Sequence, residues 1–413
     1  MGRSQEKSLV HYDIISYFSL VKPKERIDSS TFGPGPGMLL RPDLVEQFVT
    51  HQEQKYGRSF KIFFSPQGKK LDQPLLATIA KKAQESTHVM LFPARYEGMD
   101  ARVEAEYADL TVSLGDFVIM AGDLAAMVLL EGVVRLLPDV VGKKESVERE
   151  SFYGPFVDYP EYTAPVMWKG HQVPEIVRSG NHEKIEQWRQ EQAAQKTVLE
   201  HFDWLRSYPT SANQREIAQN YIPPHYCVLM HDQILLPNEE PGTTSVTSLD
   251  LHDIARSAKT YGLKEYFIVT PLLDQQRIVN RLLEFWKTGI GADYNPHRHQ
   301  AVSAVQLQSS LDEVVTAIEQ QEGKKPILIA TSARRNEQGA PSITFDDQSL
   351  VWQEQRPVLF IFGTGRGLAP SVIERCDYLL LPVEGFSSFN HLSVRSAAAI
   401  IFDRWLGINI KNR

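Results

Sequence analysis

The chain has 413 residues, 42% of them hydrophobic and 23% charged, with a formal net charge of −7. Such a length suggests two or three domains, the composition a soluble globular protein, and the charge argues against indiscriminate coating of nucleic acid while allowing a local basic face. Cys227 and Cys376 lie too far apart for metal-ligand spacing and imply neither a disulfide framework nor a zinc site; with no leader pattern and no apolar run near the roughly 20 residues of a membrane helix, a cytoplasmic protein without membrane contact is expected.

Residues 1–166 alternate short apolar strands (KIFFSP, HVMLFP, DLTVSL) with helical stretches such as DQPLLATIAKKAQE, the pattern of an α/β domain with a mostly parallel sheet. Residues 167–206 become helical and polar, with Trp188, Leu199, Phe202 and Leu205 as the expected buried positions of a small helical domain. Turn formers in SYPTSANQREIAQNYIPP place a linker at 207–223. A second α/β pattern fills 224–413, with YCVLMH, EYFIVTP, KPILIATS, PVLFIFGTG and DYLLLPVEG as strands and LLDQQRIVNRLLEFWK among the helices. The expected architecture is therefore α/β: two mostly parallel sheets with a small helical domain between them.

The two α/β patterns share an order of parts. An apolar strand ends in a turn at Gly98 and again at Gly367; a helix-length stretch follows, then Asp109 or Asp377 opens the next strand, then a further glycine turn precedes an alanine-containing helix. Alternation alone is common to parallel α/β domains. The turn residues are what make the correspondence informative.

In the C-terminal half, FGTGRGL and LPVEGFSSFNHLSVRSAAAI resemble the second and third motifs of the SPOUT superfamily of S-adenosylmethionine-dependent RNA methyltransferases, and LHDIARSAKTYG resembles the first. The resemblance implies a deep trefoil knot whose loops hold the cofactor. It points to Gly363, Gly365, Leu381, Gly385, Asn390 and Ser393 as cofactor-binding residues, and to Arg256 as the catalytic candidate of this domain. In this reading Gly385 admits a close backbone approach. The plainer reading makes Ser393 or Ser396 a helix N-cap, with Ala397, Ala398 and Ala399 packing beneath.

From Gly2 to about Leu205 the chain resembles the bacterial tRNA (guanine-N1)-methyltransferases that modify guanosine-37. The motifs occur in order: FGPGPGM, SPQGKKLDQ, RYEGMDAR, SLGDFVIMAGDLAAM, DYPEYTAP and VPEIVRSGNHEKIEQWR. The resemblance implies tRNA as partner, a helical tRNA-contacting segment after Trp168, S-adenosylmethionine bound by Pro66, Tyr96, Glu97, Gly98, Ser113, Leu114, Gly115 and Gly122, a magnesium ion helped by Glu97, and a homodimer whose active site draws on both chains. Asp158 corresponds to the catalytic base and Arg135 to the cation facing the guanine oxygen. N1 of guanine carries a proton and is a poor nucleophile until it leaves, so a base is required, and a free aspartate (pKa about 3.9) needs assistance. On their own, Asp158 reads as a surface-turn aspartate and Arg135 as a helix-end arginine.

The match also has departures. Asp28, Ser29, Ser30 and Thr31 stand where the family reads Asp-Asp-Arg-Pro, Pro34 replaces a glycine, and Ala164 replaces an arginine. Residues 2–18 align with the end of the family's first helix and its second strand, so an upstream strand and an earlier start than Met1 are expected. The competing class is an RNA-binding or cofactor-binding scaffold without turnover. A nucleotide-dependent dehydrogenase is disfavoured because GTGRGLAP breaks the glycine spacing at Leu368.

Overall fold

The computed structural model describes residues 9–34, 37–95, 97–138, 140–141, 150–288, 290–335 and 339–410. They divide into two compact units, one ending at Tyr153 and one beginning at Gly154.

In the N-terminal unit, strands β1 (Phe60–Lys70), β2 (Val89–Phe92) and β3 (Leu110–Ser113) form a parallel sheet in the order β2-β1-β3. Helices α1 (Pro42–Tyr56), α2 (Gln73–Glu85), α3 (Ala101–Tyr107) and α4 (Asp123–Val134) surround it. Successive side chains of β1 point to opposite faces. Phe60 and Ile62 join Leu75, Ile79, Leu129 and Val133 of α2 and α4, while Phe63 joins Val45, Val49, Phe92 and Val103 on the side of α1 and α3. Helix α2 starts where it does because the Asp72 carboxylate accepts from the Leu75 N–H and Pro74 sits in the first turn, where its missing donor is harmless. The strand expected before residue 18 is absent from the described part of that stretch: Tyr17–Leu20 is a single 3-10 turn capped by Ser16, and the Tyr17 ring packs edge-on against Phe48 at 6.2 Å.

The C-terminal unit holds a seven-stranded parallel sheet. Its strands are β4 (His225–Met230), β5 (Glu265–Val269), β6 (Val305–Gln308), β7 (Ile327–Thr331), β8 (Ser342–Ile343), β9 (Val358–Gly363) and β10 (Tyr378–Leu380), in the order β6-β5-β4-β9-β7-β10-β8. Every residue of β4 is buried, as expected of a central strand covered on both faces. Helices α5 (His182–Glu200), α6 (Phe202–Ser207) and α7 (Ala212–Gln219) precede the sheet, and α8 (Ser248–Thr260), α9 (Leu273–Lys287), α10 (Leu311–Glu322) and α11 (Val394–Leu406) interleave with it.

Two expectations about organisation are corrected here. The helical segment is not a separate body between two domains: Val198, Phe202, Leu205 and Ala218 share one core with Ile254, Trp352, Phe360 and Trp405, and the Phe202 ring meets Trp352 edge-on at 4.7 Å. Nor is 207–223 a linker. Ser211 and Gln214 form a reciprocal capping box that starts α7, Ala218 is buried, and Tyr221 and Ile222 pack on the same core. The turn formers in that stretch are helix-boundary residues. The Arg206 guanidinium closes the junction by donating to the backbone carbonyls of Asp403 and Arg404 near the end of α11, where a cation complements the helix terminus.

The repeated order of parts is structural. In β2-β1-β3 and in β9-β7-β10 the first strand in sequence is central, the second lies on one side and the third on the other. Asp109 accepts from the Lys61 N–H at 2.8 Å, and Asp377 accepts from the Leu328 N–H at the same distance. Lys61 and Leu328 are each the second residue of their central strand, so the two aspartates do the same task.

Candidate active site

In the N-terminal unit the loops leaving the C-terminal ends of the strands converge. The turn after β2 meets the turn after β3 through an antiparallel bridge between Arg95 and Ala121, and the Gly122 N–H donates to the Ala94 carbonyl at 2.7 Å. A Cβ at Gly122 would lie 2.8 Å from the Ala94 nitrogen and 3.0 Å from the Pro93 Cα, a clash with backbone that only glycine avoids. Gly98, at φ +112°, turns the chain so that its carbonyl accepts from the Leu40 N–H, while the Glu97 N–H donates to the Met38 carbonyl. Ser113 is buried, with its hydroxyl bonded to the Gly115 carbonyl, and Leu114 continues that turn. Pro66 lies exposed in a bulge of β1 between Phe64 and Lys69. Tyr96 lies outside the described residues.

This is a rim of close-packed main chain, the kind of lining that suits an adenine ring and an amino-acid tail. The residues therefore fit S-adenosylmethionine. For a metal the fit is poorer: Glu97 is exposed with its carboxylate folded over Gly37, and no group of three or more His, Cys, Asp or Glu side chains suited to a metal occurs among the described residues.

Arg135 caps the end of α4, and its Nη2 donates to both oxygens of Glu150 at 2.8 and 2.7 Å, so the guanidinium is aimed by a carboxylate rather than left to solvent. Asp158 belongs to the C-terminal unit. It is exposed, and its Oδ1 accepts from the Tyr159 N–H at 2.9 Å.

The C-terminal unit repeats the convergence with different partners. The loop after β9 lies along residues 233–235: the Leu235 N–H donates to the Gly367 carbonyl at 2.9 Å and the Ala369 N–H to the Gln233 carbonyl at 2.9 Å. A Cβ at Gly363 would sit 2.8 Å from the Leu368 nitrogen, and Gly365 at φ +56° lies against Ile234 and Leu235. The loop after β10 is tied to the loop after β7 by the Asn390 amide donating to the Ala333 carbonyl at 3.0 Å and by a forked contact of Arg335 with Glu384. The Leu381 N–H donates to the Ile343 carbonyl. Ser393 caps α11, accepting from the Ser396 N–H, as the plainer reading held. One expectation differs from what is found. Gly385 is exposed and an added Cβ meets nothing within 4 Å, so the close approach falls at Gly363 instead. Arg256 projects from the exposed side of α8, whereas Arg395 of α11 pairs with Asp250 and Asp253 of that helix.

Sequence reasoning missed a partly buried polar chain beneath the glycine loop. The Thr364 hydroxyl donates to the Met230 carbonyl at 3.0 Å, so it accepts from Thr244 at 2.6 Å, and Thr244 in turn accepts from Nδ1 of His231 at 3.0 Å. His231 is therefore the neutral Nδ1–H tautomer, and burial pushes its pKa down to about 4. Nothing local in the sequence links residues 231, 244 and 364.

Residues 224–407 match the family described as SAM-dependent RNA methyltransferase, and residues 1–207 match the family described as tRNA (guanine-1)-methyltransferase TrmD. The chain is 38% identical to a tRNA (guanine-N(1)-)-methyltransferase of Oleidesulfovibrio alaskensis and 36% identical to one of Nitratidesulfovibrio vulgaris, each alignment covering 98% of this chain and 94% of the relative. A relative of that name from Thermosipho melanesiensis is 37% identical over 49% of this chain and 80% of its own length. The chain belongs to the tRNA (guanine-N1)-methyltransferase family.

Proposed function

We propose that the chain methylates N1 of guanosine-37 in tRNA at its N-terminal site, and that its C-terminal unit is a second S-adenosylmethionine-dependent methyltransferase acting on RNA. The observation that carries this reading is the pair of backbone-lined rims, each at the C-terminal ends of a three-strand set of identical order and each closed at a position where a Cβ cannot fit, Gly122 and Gly363. The same reading carries a trefoil knot in each unit. S-adenosylmethionine, when bound, supplies an electrophilic methyl group.

The residues do the rest. Asp158, oriented by the Tyr159 N–H, takes the N1 proton. Arg135, aimed by Glu150, stabilises the charge that develops on the guanine oxygen, and a preoriented cation is most effective there. Glu97 is the candidate magnesium ligand. Phe117, Val118 and Met120, with Leu124, Met127 and Val128 at helical spacing on α4, form an exposed apolar face that a homodimer would cover, each chain contributing to the other's site. No helix among the described residues is long and apolar enough to cross a membrane, and we place the protein with its tRNA in the cytoplasm.

The test is transfer of labelled methyl groups to unmodified tRNA, with the product nucleosides identified. N1-methylguanosine is expected. Asp158→Asn and Arg135→Ala should each lower turnover on the order of 10²- to 10⁴-fold while retaining cofactor binding. Full activity of Asp158→Asn would remove the assigned base.

A further inference from the structure

Asp158 is exposed, yet the chain on either side of it is held by helices that share a core with the C-terminal sheet. Immediately before it, Val157 is buried and its N–H donates to the Thr197 hydroxyl at 2.9 Å. That hydroxyl spends its own proton on the Ala193 carbonyl at 2.6 Å, so it presents a lone pair to Val157 in a settled orientation. Immediately after Asp158, the Tyr159 ring lies under the Arg189 guanidinium at 4.7 Å. Arg189, Ala193 and Thr197 recur every four residues along α5 and form one stripe, along which residues 157–159 are laid. Three residues further back, the Trp204 indole of α6 donates to the Gly154 carbonyl at 2.9 Å, and Phe156 packs on the core shared with Trp352 and Trp405.

We infer that Thr197 and Trp204, on helices that share a core with the C-terminal sheet, are positioning residues for Asp158. This rests on the assignment of Asp158 as the base. A general base works only within hydrogen-bond reach of its proton, and displacement of a reacting group by about 1 Å costs on the order of 100-fold in rate. A backbone anchor one residue away controls that displacement without touching substrate.

The experiment compares Thr197→Val, which keeps the shape and removes the hydroxyl, with Thr197→Ser, which restores it, and with Trp204→Phe, all in the full chain beside Asp158→Asn. Thr197→Val should lower kcat on the order of 10- to 100-fold with KM for tRNA and for S-adenosylmethionine unchanged. Thr197→Ser should recover most of the loss, and hydrogen exchange of the peptide spanning 154–160 should be slow in the parent and fast in Thr197→Val. If Thr197→Val does not fold, Trp204→Phe and the exchange of the parent peptide decide: normal kcat in Trp204→Phe, or rapid exchange in the parent, overturns the inference. Parent-like kcat in Thr197→Val beside an inactive Asp158→Asn overturns the positioning role alone, whereas an active Asp158→Asn removes the assignment beneath it.

Discussion

Replacing His225 by glutamine should flatten the acid side of the stability profile of the C-terminal unit. His225, the first residue of β4, is buried, with Nδ1 2.6 Å from the Pro223 carbonyl and Nε2 facing the indole nitrogens of Trp405 at 3.0 Å and Trp352 at 3.3 Å. A carbonyl can only accept and an indole N–H can only donate, so the ring must be neutral with its proton on Nδ1. A second proton would set an N–H against two others. Burial accordingly pushes the pKa down to about 4, against about 6.5 in an unfolded chain. Between those values the unfolded state binds the proton and the folded state does not, so this contribution is complete above pH 6.5, is lost as the pH falls, and is exhausted below about 4. The loss amounts to roughly 2 kcal/mol at pH 5 and approaches ~3 kcal/mol near pH 4. His231 titrates in the same direction, which is why the variant is needed as the comparison. All six tryptophans lie at or beyond Trp168, within the C-terminal unit, so indole fluorescence during urea unfolding reports that unit alone. The parent should lose about 2 kcal/mol more than His225→Gln between pH 7 and pH 5. Equal losses would show that His225 is not the buried neutral group described.

The two glycines of the second rim should separate packing from binding. Gly363→Ala forces a Cβ to within 2.8 Å of the Leu368 nitrogen and should destabilise the unit by about 1–3 kcal/mol in urea. Gly385→Ala points into open space and should stay within about 0.5 kcal/mol of the parent; a large loss there would mean the loop after β10 is packed differently. A fragment beginning at Tyr226 should aggregate or unfold, because it leaves behind Val198, Phe202 and Leu205 of the shared core, whereas one beginning at Gly154 should fold cooperatively by fluorescence and circular dichroism. Cooperative folding of the shorter fragment would contradict the shared core.

The strands of both sheets were legible because parallel, doubly covered strands are written as continuous apolar runs, HYCVLM and VLFIFG among them. The edge strand β6, VQLQ, was not, since only Val305 is fully buried and its polar partners read as loop. The helix over 212–219 carries a readable capping signature, Ser211 with Gln214, that the surrounding proline and asparagine outweighed. Long-range polar contacts were illegible in principle: Thr197 is an ordinary helix residue until Val157, 40 positions earlier, is laid against it, and a glycine such as Gly385 or Gly363 does not announce what approaches it.

The repeat explains why the two rims could diverge while keeping their shape. In each unit the glycine turn after the second strand of the set lies beside a short strand outside the main sheet, and the segment carrying that strand supplies its hydrogen bonds. Met38 and Leu40 do so for Glu97 and Gly98; Gln233 and Leu235 do so for Ala369, Arg366 and Gly367. The supporting segment comes from before the sheet in one unit and from the loop after β4 in the other, so it is a property of each unit's surroundings. The aspartate opening the third strand belongs to the three-strand set itself. Backbone requirements fix the set, because an unpaired buried N–H or carbonyl costs more than most side-chain changes. The supporting segments are free to vary, and there the two units carry different side chains: His231 and Thr244 beneath one loop, Glu97 across Gly37 beside the other.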